Sequence, residues 1–154
     1  MIRIPRNSRI LLGATVIYAV ALLYWFSIED VSLNGTIASG LAGTLILTSH
    51  LIRVRWGMHT LVGIRIMVFF GLFGLLSGVL AAPLTALLMV SKVGLHAHVY
   101  SDFTLEQVLS VLRVMPVWAL TGLFFGLASG VGIYYWKSSV NGIGINNSNE
   151  SREA

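Results

Sequence analysis

Residues 66–90 read IMVFFGLFGLLSGVLAAPLTALLMV, 25 consecutive positions without a formal charge. About 20 apolar residues carry an α-helix across the ~30 Å hydrocarbon core of a bilayer. This stretch therefore predicts a membrane-spanning helix with length to spare for tilt. Pro83 lies inside it and removes one backbone donor, so a kink is expected there. Working outward, residues 10–26 (ILLGATVIYAVALLYWF) and 114–136 form two further uncharged runs. Pro116 stands in the first turn of the latter, where proline is tolerated. Residues 35–52 make a fourth and weakest run, carrying Thr36, Ser39, Thr44, Thr48 and Ser49. Such hydroxyls can bond to carbonyls of their own helix or reach a neighbouring one.

Composition points the same way. The chain has 154 residues, of which 56% are hydrophobic and 10% charged, with a mean hydropathy of +0.83. A soluble domain carries about 25% charged residues, so these few charges could not cover a globular surface. The expected fold is all-α and integral to the membrane: a four-transmembrane-helix bundle over residues 1–137, followed by a disordered polar tail, 138–154. A cleaved leader is the competing reading of the first run, since Ala19-Val20-Ala21 resembles a cleavage site behind Arg3, Arg6 and Arg9. Apolar residues continue straight through Tyr24-Trp25-Phe26, which favours retention as a helix.

Four spans put the N-terminus, the 53–65 connection and the C-terminal tail on one side. Arg3, Arg6, Arg9, Arg53, Arg55, Arg65, Lys137 and Arg152 fall there, eight of the ten basic residues. Lys92 and Arg113 fall on the other side, with Glu29, Asp30, Asp102 and Glu106. The basic excess marks the cytoplasmic side, so both termini are expected there. Aromatic residues group at two depths, Tyr24, Trp25, Phe26, Tyr100, Phe103 and Trp118 outside, Trp56 and Tyr134-Tyr135-Trp136 inside. Amphipathic rings favour both boundaries. The formal net charge of +4 then follows from topology and implies no nucleic acid partner.

Small residues recur every four positions: Gly122, Gly126 and Gly130 in the last span, Gly74, Gly78 and Ala82 in the third, Gly35, Ser39 and Gly43 in the second. In lipid, close backbone approach drives helix association, and small side chains at i and i+4 permit it. These nine are candidate helix-packing positions, for partners inside the chain or outside it. Residues 74–79 (GLLSGV) and 126–131 (GLASGV) form a faint internal echo.

Between the last two spans, residues 104–113 carry Thr104 followed by Gln107, a capping-box pattern. Leu105, Val108, Leu109 and Leu112 then recur at helical spacing. A short amphipathic helix lying at the outer interface is expected, the alternative being an early start to the last span with a bend at Pro116. His96, His98, Asp102 and Glu106 cluster nearby and use ligand types that suit a divalent metal. His-x-His occurs freely in loops, and acids at a helix start follow from the helix dipole. No metal is therefore assigned. On the inner side, Arg53, Arg55 and Arg65, with His50 and His59, are expected to meet anionic headgroups or an acidic partner. Two imidazoles could ligate haem only at one depth on facing helices, so no cofactor is expected.

The core of no span contains Asp, Glu, Lys, Arg or His, the residues on which proton relays and ion-coupled transport usually depend. No Walker loop, HExxH motif or Ser/His/Asp set occurs, and there is no cysteine. The functional expectation is a non-catalytic accessory or assembly subunit of a larger membrane complex, of the respiratory or photosynthetic kind. Its partners would be the lipid bilayer and other transmembrane subunits or copies of itself. The alternative is a small homo-oligomeric transporter or channel whose path Thr36, Ser39, Thr44 and Thr48 would line. A third reading is a membrane metal or haem protein.

Overall fold

The computed structural model describes residues 2–3, 8–28, 32–57, 60–96 and 103–153, and of residues 2, 3, 96, 137, 138 and 140–153 the backbone alone. Five helices and one two-residue strand pair make up these segments. Serines open the first two helices. Ser8 accepts from the Leu11 N–H at 3.2 Å ahead of α1 (Arg9–Ser27), and Ser32 accepts from Gly35 at 3.1 Å ahead of α2 (Leu33–Trp56). Each hydroxyl satisfies an N–H that has no partner inside the helix. Helix α2 stops at Gly57, whose N–H donates to the Arg53 carbonyl at 3.0 Å.

Gly63 takes φ +59°, the left-handed region open to glycine, and the chain turns there into α3 (Ile64–His96). Helix α3 runs on through Pro83 and six residues past the uncharged run 66–90, to His96. Helix α4 (Leu105–Arg113) opens with a complete capping box: Gln107 N–H donates to Thr104 Oγ1 at 3.2 Å, and Thr104 N–H to Gln107 Oε1 at 2.8 Å. Val114 separates it from α5 (Met115–Glu153), so the two are distinct helices. The backbone of α5 stays helical to Glu153, whereas residues 138–154 were expected to form a disordered tail. No proline follows Pro116, and extending an existing helix fixes only one residue per hydrogen bond.

Helices α1 and α2, α3 to Leu95 and α5 to Trp136 are each long and apolar enough to cross a membrane, which fits a multi-pass membrane protein. Their surface agrees. Ile10 is 86% exposed, Ile17 and Phe125 72%, a distribution that water would penalise and an apolar solvent would not.

The helices alternate in direction. Tyr18 and Thr15 of α1 bond to Ser39 and His50 of α2; Thr48 and Gly40 of α2 face Ser77 and Thr85 of α3. On α3, Gly78, Gly74 and Met67 face Trp118, Gly122 and Gly130 of α5 in turn. Helix α3 is therefore central, with α2 on one flank and α5 on the other, and α1 beyond α2. At the opposite end from α4, strand β1 (Ile2–Arg3) pairs antiparallel with β2 (Thr60–Leu61), Ile2 opposite Leu61. The N-terminus and the α2–α3 connection thus share that end.

The most enclosed apolar cluster lies at the α4 end, where Trp25, Leu88, Met89, Phe103 and Val111 pack together. Trp25 and Phe103, read from sequence as interfacial anchors, belong to this core. Of the apolar arc on α4, only the Val108–Val111 edge turns inward, and Leu105, Leu109 and Leu112 remain exposed.

Candidate functional site

The α3–α5 seam is built on absent side chains. A Cβ on Gly74 would strike the Gly122 carbonyl, and one on Gly122 the Gly74 carbonyl. A Cβ on Gly78 would meet the Trp118 carbonyl; one on Gly126 the Phe70 carbonyl and, at 3.1 Å, the Gly71 Cα; one on Gly130 the Met67 Cα at 2.8 Å. Five of the nine small positions singled out from sequence therefore lie where these two backbones touch. Gly71, which the fourfold spacing passed over, joins them against Leu127. Its signal in the sequence is the step of three to Gly74.

On α2 the stripe is displaced from the one read in sequence. A Cβ on Gly35 would touch only its own cap, Ser32. Ser39 offers its carbonyl to the Tyr18 hydroxyl at 3.0 Å, and Gly43 gives room to Tyr18 and Leu84. The face turned to α3 is instead Thr36, Gly40, Thr44 and Thr48, all buried, with Gly40 against Thr85. The offset is one residue, about 100° around a helix.

These threonines line no open path. Thr36, Thr44 and Thr48 donate to the carbonyls of Ser32, Gly40 and Thr44 at 2.7–3.0 Å. Thr48 Oγ1 also lies 3.0 Å from Ser77 Oγ of α3, which itself reaches the Phe73 carbonyl at 2.8 Å. Their hydroxyls are consumed within the α2–α3 contact.

Because α2 and α5 grip opposite flanks of α3, a groove of about 620 Å³ remains between them. Gly74, Ser77, Gly78 and Gly122 form part of its small-residue lining, and Leu41, Leu45, Phe73 and Phe125 supply bulk. The hydroxyls on it are already engaged: Ser77 as above, Thr121 with the Val117 carbonyl and Ser129 with the Phe125 carbonyl, each at 2.8 Å. Nothing in this surface asks for a polar solute.

One cation lies elsewhere than the sequence suggested. Lys92, placed by sequence in the outer loop, is fully buried in α3, its Nζ 4.2 Å from the centre of the Trp25 ring. The available signal was a lone cation directly after an apolar run, opposite a span ending in tryptophan. Of the outer polar cluster, Glu106 is exposed in the first turn of α4 and His96 closes the α3 backbone, while His98 and Asp102 lie outside the described residues. Among the described residues no group of three or more His, Cys, Asp or Glu could hold a metal.

At the opposite end the three inner arginines separate. Arg55 is exposed at the end of α2; Arg65, also exposed, borders a small apolar recess with Trp56, Phe69 and Leu72. Arg53 turns toward α1, where it shares a polar recess with Ser8, Arg9 and His50. In comparison with known proteins, no family model, curated protein or solved structure matches the chain.

Proposed function

We propose that this chain is a multi-pass membrane protein with both termini on the cytoplasmic side, acting as a non-catalytic accessory or assembly subunit of a larger membrane complex. The groove over α3 carries this reading. Its lining combines small residues with bulky apolar ones, and its hydroxyls are internally bonded. Such a surface recognises shape and carries no charge. A transmembrane helix of another subunit is the occupant we assign, since helices in lipid associate where small residues permit close approach. The orientation follows the basic residues, which collect at the end where β1 meets β2. The exposed Leu105, Leu109 and Leu112 of α4 would rest at the outer interface.

A path along the α2 hydroxyls, the channel alternative, gains no support from side chains closed into the α2–α3 contact. The test is native mass spectrometry after extraction in mild detergent. A complex with at least one different membrane protein is expected. Leu41→Trp combined with Thr121→Trp, which fills the groove from both walls, should release that partner. Recovery of the wild-type chain only as a monomer or a homo-oligomer would overturn the reading.

A further inference from the structure

We infer that the recess between the start of α1 and the end of α2 binds a phosphate group, presented by an anionic lipid headgroup or as a free ion. The recess has a volume of about 530 Å³, with Ser8, Arg9, His50 and Arg53 on its polar side and Leu11 and Leu12 on its apolar side. None of its lining residues is acidic, so among the described residues two arginines and an imidazole converge there without a carboxylate.

Three details favour an anion there. Arg53 Nη1 is buried and has no hydrogen-bond partner among the described residues. A buried donor left in that condition is unfavourable; Nη1 is covered by protein as it stands, and a turn of the half-buried guanidinium toward the recess it lines would bring it to a ligand oxygen. The guanidinium fork also matches the paired oxygens of a phosphate.

His50 supplies the second detail. The single proton of the Thr15 hydroxyl goes to the Leu11 carbonyl at 2.8 Å. The 2.9 Å contact between Thr15 Oγ1 and His50 Nε2 must then be donated by the imidazole. That bond fixes the ring by Nε2 at the wall of the recess, and Nδ1 would donate to an anion there only from the doubly protonated imidazole.

The third is the helix end itself. Helix α1, 19 residues long, begins at this recess, and its positive dipole end adds to the field of the arginines. Leu11 and Leu12 give an apolar wall of the kind a glycerol stem or upper acyl chain would contact. The recess also lies where the apolar surface of α1 begins, at headgroup depth if the span is inserted. None of this involves the groove over α3, so either site can fail without the other.

The experiment uses the full chain, purified in mild detergent and delipidated. It is titrated with dioleoyl-phosphatidylglycerol, dioleoyl-phosphatidylcholine and inorganic phosphate, with lipid adducts read by native mass spectrometry and phosphate by calorimetry. Wild type should retain phosphatidylglycerol more tightly than phosphatidylcholine. Arg53→Gln should weaken that binding about tenfold or more, and Arg9→Gln less. Arg55→Gln, outside the recess, should leave it unchanged. Arg9 is exposed, so Arg9→Gln remains informative if Arg53→Gln fails to fold; Arg53→Lys, which keeps the charge but not the fork, should fall between. Inorganic phosphate binding with the same Arg9 and Arg53 dependence, without phosphatidylglycerol retention, would assign the free ion as occupant. Failure of wild type to bind either anionic probe, or binding indifferent to both arginines, would overturn the inference.

Discussion

The ammonium of Lys92 sits 4.2 Å from the centre of the Trp25 ring, and both residues are buried. A lysine loses most of its hydration on entering such a site, and an aromatic face restores part of the attraction that water supplied. This contact ties the end of α1 directly to α3, across helices that otherwise meet mainly through α2. Phe103 and Val111 close over the same cluster, so α4 is anchored where the cation is enclosed.

The pair should therefore be energetically coupled. In a double-mutant cycle of Trp25→Leu and Lys92→Met, unfolding in detergent micelles should show the double variant less destabilised than the sum of the singles. The expected coupling is about 1–2 kcal/mol. Additive losses would mean that the ring and the ammonium are neighbours without an interaction.

The α3–α5 seam makes a sharper prediction, because two glycines on one helix differ in surroundings alone. A Cβ at Gly126 would meet the backbone of Phe70 and Gly71, whereas one at Gly132 would meet nothing within 4 Å. Gly126→Ala should cost about 1–3 kcal/mol of stability, the range of overpacking in a close-fitted contact. Gly132→Ala should be neutral or slightly stabilising. Equal tolerance of both in an unfolding assay would remove the seam as the main contact of α5.

The hydroxyl pair between α2 and α3 should matter less. Thr48 and Ser77 lie 3.0 Å apart, yet each also has a carbonyl of its own helix to bond. Ser77→Ala should therefore lower stability by only about 0.6 kcal/mol, the average for interhelical hydrogen bonds measured in a membrane protein. A loss several times larger would show that the contact organises the α2–α3 packing.

How much of this could be read in the sequence varied with the physics involved. Helix length, the α4 cap and the glycine positions of the last two spans depend on local spacing, and residues 66–90, Thr104 with Gln107 and Gly122–Gly126–Gly130 display it directly. On α2, Ser39 and Gly43 meet Tyr18 of α1, and Gly43 also Leu84 of α3, whereas the threonine stripe beside them, which faces α3, carried no such signal. In an apolar helix, serine and glycine at 35, 39 and 43 look no different from threonine and glycine at 36, 40, 44 and 48. Only the neighbours decide which stripe meets which helix. Lys92 was assigned to water because lysine usually belongs there, and its burial depends on Trp25, some 67 positions away in sequence. Likewise the polar recess needs Arg9 and Arg53 from two helices, and no local pattern joins them.

The absence of cysteine makes the central claim directly measurable, since a single introduced thiol reports one place. Cysteines at Leu41 and Phe125, on the two walls of the groove, can be compared with one at Val16, which is exposed on α1 away from it. A short bifunctional reagent applied to native membranes should join the groove positions to one other membrane protein of defined mass and leave Val16 unlinked. Crosslinks from Leu41 and Phe125 no different from those of Val16, or only to a second copy of the same chain, would contradict the groove as the seat of a partner helix.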